Sequence, residues 1–221
     1  MKKKKGNKVL LVLLIILAIS LIPLINFHLI VYNENLYKNE FAKLNIYDNF
    51  EDKKYPDGAL SGILDYFKNE NNEIPQIEDF NEMENSHMRD VKLLINRVIL
   101  FEIFLIFLWI ILFLIFIVKK DLIYQFSRII FYSGGSLIIL ILFFMTISIF
   151  AFDFAFIIFH KIFFIQGNWA FPSNSNMIQL FPSQFFQDIF LKIIINTGIS
   201  AVLFFIIGFL IMRVGKIKNN S

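Results

Sequence analysis

Residues 9–31 read VLLVLLIILAISLIPLINFHLIV. This uncharged run is long enough to cross a hydrocarbon layer of about 30 Å at about 1.5 Å per helical residue. Lys2 to Lys5 and Lys8 precede it, which by the positive-inside rule puts the N-terminus in the cytoplasm. A cleavable signal peptide also starts with basic residues. This run is longer than a typical h-region, however, and no small-x-small site follows, so it is read as a retained first membrane helix. Pro23 is expected to kink it, and His28 lies near its outer end.

Outward from that stretch, the chain of 221 residues is 57% hydrophobic with 29 phenylalanines, too apolar for a water-soluble domain. The expected fold is an all-α membrane protein. It has four transmembrane helices, both termini cytoplasmic, and a small, mostly helical extracytoplasmic cap between the first and second. The absence of cysteine excludes a disulfide, a thiolate nucleophile and lipidation of this chain's own thiols. The net charge of +3 conceals a segregation. Basic residues gather at the termini and one short loop, whereas acidic residues fill the stretch from about Asn33 to Asp90.

The segments follow in order. Residues 1–32 are the basic N-terminus and first helix. Residues 33–86 form the cap, in which Leu36, Tyr37, Phe41 and Leu44 suggest one short helix, and Leu60, Ile63, Leu64 and Phe67 another after Pro56 and Asp57. So small a domain lacks a strong core of its own, and its apolar face should rest on the membrane helices. Asp79 and Glu82 resemble a capping box for the next helix, whose outer extension and span cover 87–118. Lys119, Lys120 and Arg128 mark a cytoplasmic loop, 119–128. Residues 129–160 are the third span, with Gly134 and Gly135 permitting close packing. Residues 161–183 form an outer loop rich in aromatic residues, 184–212 the fourth span, and 213–221 a basic cytoplasmic tail. No internal repeat and no nucleic-acid motif is present, and the lysine-rich start is explained by topology.

Two polar segments stand out, ENSHMRDVK at Glu84–Lys92 and FHKIFFIQGNWAFP at Phe159–Pro172. In this topology His87 and His160 fall at the same depth on the outer side. At 100° per residue His87, Asp90, Leu94 and Arg97 share an arc of about 80°, and Asp153 and His160 share a face. Two histidines suffice for a base and an electrophile in acyl transfer. The plainer reading is an interfacial histidine bonded to a loop carbonyl. Arg97 and Asp153 are costly in hydrocarbon, so an ion pair between them is the default, with orientation of a histidine by Asp153 the alternative. Glu102 has no evident partner. There is no HExxH motif, and two histidines with loose carboxylates give no metal set. Nor is there a G-x-S-x-G serine elbow. Phe163, Phe164, Trp169 and Phe171 flank the second histidine.

HMRDVK at His87–Lys92, FHKIFF followed by GNWAFP, and LFPSQFFQD at Leu180–Asp188 resemble the lipoprotein intramolecular transacylases, four-helix membrane proteins with an extracytoplasmic cap. The resemblance spans nearly the whole chain in layout. It implies a bacterial cytoplasmic membrane enzyme, with its active site outside, acting on a diacylglyceryl lipoprotein among membrane lipid. The sn-2 acyl chain would pass to the α-amine of the lipoprotein's own N-terminal cysteine, giving the lyso-form, with no cofactor. By the same resemblance His87 and His160 are catalytic, and Phe163, Trp169 and Phe171 confine the lipid head. A loop amide near Asn168 or the second histidine would hold the oxyanion, while Asp90, Arg97 and Asp153 support the site. Two rivals remain: a non-enzymatic membrane sensor or assembly protein whose cap binds a ligand, and a membrane lipid hydrolase.

Overall fold

The computed structural model describes residues 2–69, 77, 79–117 and 122–218. The described residues form α-helices and one 3-10 turn, with no strand. Four stretches are long and apolar enough to span a membrane: Lys8–Val31, Glu82–Ile117, Ile123–Phe150 and Ser183–Val214. The chain is thus an all-helical, multi-pass membrane protein.

Two compact units divide it, and each has its own packing logic. The first joins residues 1–27, 99–146 and 192–221. It includes most of α1 (Lys2–Val31), the later part of α4 (Glu82–Ile117), most of α5 (Leu122–Phe150) and the later part of α8 (Ser183–Lys218). Apolar side chains on these helices largely face outward, as lipid contact requires. What holds the helices together is close approach and a few polar contacts. The Trp109 indole donates to the Leu14 carbonyl at 3.1 Å, and its ring stacks on Phe113. A Cβ placed on Gly134 would lie 2.5 Å from the Ala201 carbonyl oxygen, and one on Gly208 2.7 Å from the Phe131 amide nitrogen. Both glycines therefore let α5 and α8 touch backbone to backbone. Gly135 meets only the Phe205 ring, at 3.4 Å. Glu102 is buried and engaged with a neighbour.

The second unit joins residues 28–98 and 147–191. Its helices α2 (Glu34–Lys43) and α3 (Tyr55–Lys68) hold the two apolar patterns read from the sequence, except that Leu44 caps α2 at its end. The Asn33 side chain caps α2 by accepting from the Leu36 amide at 3.0 Å, and Pro56 occupies the first turn of α3. Phe41, Leu60, Ile63 and Leu64 are buried together with Met88 of α4, Met177 and Leu180 of α7 (Asn176–Leu180) and Phe185 of α8. The small helical layer thus shares its core with the ends of longer helices instead of closing one alone.

Several local expectations are corrected. The capping box lies at Asn81 and Glu84, not at Asp79 and Glu82. The Glu84 carboxylate accepts from the Asn81 amide at 2.8 Å, and the Asn81 side chain accepts from the Glu84 amide at 3.0 Å. Asp79 has φ of 60°, outside the extended region an N-cap occupies. The span read as 129–160 is two helices, α5 and α6 (Phe152–Phe163), divided at Ala151. Gln187 explains the break: its amide donates to the Ser148 carbonyl at 2.7 Å and gives an oxygen at the end of α5 a partner outside the helix. The loop read as 119–128 is shorter, because α5 begins at Leu122, with Arg128 bonded to Gln125 and Ser127 to the Tyr124 carbonyl along the helix. Lys119 and Lys120, residues 70–76 of the cap and the end of the tail lie outside the described residues. The outer loop 161–183 contains the end of α6 and one turn of helix, α7, capped by Ser175.

Candidate active site

The site is built inside the second unit, from the start of α4, α6 and the segment that follows α6. Glu84 fixes the α4 end. It is 1% exposed, and its second oxygen accepts from the Met177 amide at 3.0 Å, so α7 is tied to the first turn of α4. One turn later His87 points inward, 6% exposed. Its Nδ1 is buried with no hydrogen-bond partner among the described residues.

His160 arrives from α6, 8% exposed. Its Nδ1 lies 2.7 Å from the Phe156 carbonyl oxygen. A carbonyl only accepts, so Nδ1 carries the proton and Nε2 is the basic nitrogen of the neutral ring. Helix α6 lies outside the four long spans. Burial pushes the His160 imidazole below its ordinary value, and the bond to Phe156 offsets part of that effect.

The two imidazoles are stacked, with centroids 6.2 Å apart and planes 24° from parallel. Aromatic rings enclose them. Phe164 is 4.7 Å from His87 and 5.4 Å from His160, Phe171 is 5.5 Å from His87, and Trp169 is 5.0 Å from His160. Phe156 packs under His160 at 4.1 Å. The segment bearing Trp169 is held by Asp90, whose Oδ2 accepts from Gln166 Nε2 at 2.6 Å and Asn168 Nδ2 at 2.7 Å. Gly167, between them, has φ of 77°, a conformation glycine adopts without steric cost.

Three residues read as part of this site lie elsewhere. Phe163 is half exposed and packs at a tilt against Phe159 at 4.8 Å; Phe164 holds the position facing both histidines. Phe164 terminates α6, where the chain turns inward. Asp153 and Arg97 are both exposed, and among the described residues neither forms an ion pair. The break at Ala151 makes Asp153 part of the first turn of α6, where the helix dipole favours a carboxylate. Gln166 and Phe156 belong to the site but escaped the sequence reading. Phe156 was recoverable, since it stands four residues before His160 on one helix face. Gln166 carried no signal beyond its place beside the glycine turn. Among the described residues no group of three or more His, Asp or Glu side chains could hold a metal ion.

The family model described as lipoprotein intramolecular transacylase Lit matches residues 9–186. A search of curated protein sequences finds no significant match. Among solved structures, the membrane-integral lipoprotein intramolecular transacylase Lit from Bacillus cereus superimposes with a TM-score of 0.84 at 17% identity, covering 97% of this chain and 99% of that one. Two variants of the same protein, one with a histidine changed to arginine and one to alanine, give TM-scores of 0.79 and 0.80, also at 17% identity. The first covers 98% of this chain and 96% of its own, and the second 97% of each. Such identity speaks for a shared fold; the family match, over most of the chain, speaks for kinship. This protein belongs to the lipoprotein intramolecular transacylase family of membrane acyltransferases.

Proposed function

We propose that the protein moves the sn-2 acyl chain of a diacylglyceryl lipoprotein to the α-amine of that lipoprotein's N-terminal cysteine, leaving the lyso-form. The observation that carries this reading is the buried pair His87 and His160 inside an aromatic enclosure. The amine nitrogen attacks the ester carbonyl carbon, a C–N bond forms, and the C–O bond to the glyceryl oxygen breaks. His160 Nε2 takes the proton from the attacking nitrogen and returns it to the departing oxygen. His87, donating to the carbonyl oxygen, stabilises the negative charge there. General base catalysis of this kind contributes about 10²- to 10⁴-fold.

Amine and ester belong to one molecule, so alignment is the larger task and supplies on the order of 7–11 kcal/mol. Phe164, Phe171 and Trp169 suit it, because flat apolar walls fold the glyceryl head and keep water from the ester. No cofactor enters this scheme. The Asn168 side chain is better cast as a holder of the loop than as an oxyanion donor, since its nitrogen is directed to Asp90 and Ser86. The segregation of charge supports both termini in the cytoplasm of a bacterium, and cap and site on the outer side of the cytoplasmic membrane.

Mass spectrometry of a diacylglyceryl lipopeptide incubated with the purified protein tests the reading. Fragments carrying the acyl chain on the cysteine nitrogen at unchanged total mass support it. Released fatty acid with no N-acyl product would instead make the protein a lipid hydrolase.

A further inference from the structure

Among the described residues Asp90 makes no hydrogen bond to either histidine, yet one of its oxygens holds two separate side chains of the segment after α6. Gln166 and Asn168 both donate to Oδ2, at 2.6 and 2.7 Å, across 76 and 78 residues of sequence. A carboxylate accepts only, so it also fixes which way the Asn168 amide faces. The Asn168 nitrogen further approaches Ser86 Oγ at 3.5 Å, one residue before His87. Between the two amides Gly167 makes its left-handed turn, and directly after them Trp169 lies against His160. Among the described residues Asp90 alone accepts from both amides, whereas Phe164 on the far side of the turn is fixed by burial at 3% exposure. Release of Asp90 would therefore free the Trp169 wall and leave the Phe164 wall standing.

We propose that the Asp90–Gln166–Asn168 clamp is the positioning device that decides whether the acyl chain passes to the amine or to water. The inference rests on the transacylase reading. Both fates begin with attack on the same carbonyl carbon and break the same C–O bond to the glyceryl oxygen. With the clamp closed the nucleophile is the substrate's own nitrogen. With it open, water adds, its proton passes to the glyceryl oxygen, and the acyl chain leaves as free fatty acid. Gln166 and Asn168 thereby become positioning residues, although neither touches a reacting atom.

The test measures N-acyl lipopeptide and free fatty acid in one reaction, in water enriched in oxygen-18, for the full-length protein and for Asp90→Ala, Gln166→Ala and Asn168→Asp. The last sets two carboxylates against each other. The ratio of labelled fatty acid to N-acyl product should rise on the order of tenfold in Asp90→Ala, as expected from losing a charge-assisted hydrogen bond. Asn168→Asp should match it, Gln166→Ala should give a smaller rise, and adding Gln166→Ala to Asp90→Ala should change little. Asp90→Asn, which keeps an acceptor, should restore much of the partition. If the wild type makes N-acyl product and every variant loses rate at an unchanged ratio, the clamp is merely structural and the proposal fails. If the wild type makes no N-acyl product, it is the transacylase reading that fails.

Discussion

Alanine at Gly208 and Gly134 should loosen the membrane-embedded unit, and by amounts the geometry ranks. A Cβ on Gly208 would stand 2.7 Å from the Phe131 nitrogen and 2.8 Å from its Cα and Cβ; one on Gly134 would meet the Ala201 oxygen at 2.5 Å and the Phe205 nitrogen at 2.6 Å. Those neighbours are mostly backbone, so the helices themselves must part. Overpacking of this kind costs about 1–3 kcal/mol. The separation would also disturb Phe131 and Phe205, which stack at 4.7 Å. Gly135 and Gly198 are internal controls. Their added Cβ would meet only side-chain atoms, at 3.4 Å from the Phe205 ring and 3.8 Å from Ile141. Alanine at either should be near neutral, helped by its better helix propensity, about 1 kcal/mol relative to glycine. Thermal unfolding in one detergent, followed by intrinsic fluorescence or retained monodispersity, reads the difference. Gly208→Ala and Gly134→Ala unfolding at the same temperature as Gly135→Ala would refute the claim that α5 and α8 meet backbone to backbone.

Three further outcomes follow from the site. Because burial lowers the His160 pKa, its Nε2 stays free of a proton below the usual histidine value near 6.5, and activity that needs the neutral ring is lost only as pH falls further. The pH profile of kcat/KM should therefore rise with the substrate amine, near pH 7.7–8.0, with no step at 6.5 from the enzyme. Glu84→Ala strands the Asn81 and Met177 amides, each worth about 1–3 kcal/mol if left unpaired, and should lower the melting temperature more than Glu84→Gln. Phe164→Ala should cost about 3–5 kcal/mol and much of the transfer rate, while Phe163→Ala, on an exposed ring, should leave both nearly unchanged in the same assays.

Much of this architecture was legible because hydrocarbon imposes a simple code. Length and lack of charge in Val9–Val31 and its counterparts mark the spans, and helical spacing marks α2 and α3. The histidine pair was legible in part, since the topology expected from the sequence puts His87 and His160 at one depth and the structure brings their rings together. What stayed hidden depends on contacts distant in sequence. The break at Ala151 needs Gln187 to reach Ser148, and no local signal announces it. The choice of Asn81 over Asp79 for the cap turns on Glu84 also serving Met177. Phe163 and Phe164 are indistinguishable neighbours in sequence, and only the turn at the end of α6 sends one outward and the other against both histidines.

The most direct measurement of the central claim is the yield of N-acyl lipopeptide from wild type, His87→Ala and His160→Ala, each shown by size exclusion and thermal unfolding to be folded. The account predicts N-acyl product from the wild type and losses of at least about 10²-fold in each variant, with the double variant little worse than either, because the two rings act as one unit. Transfer at wild-type rate by a folded variant lacking either histidine would contradict it.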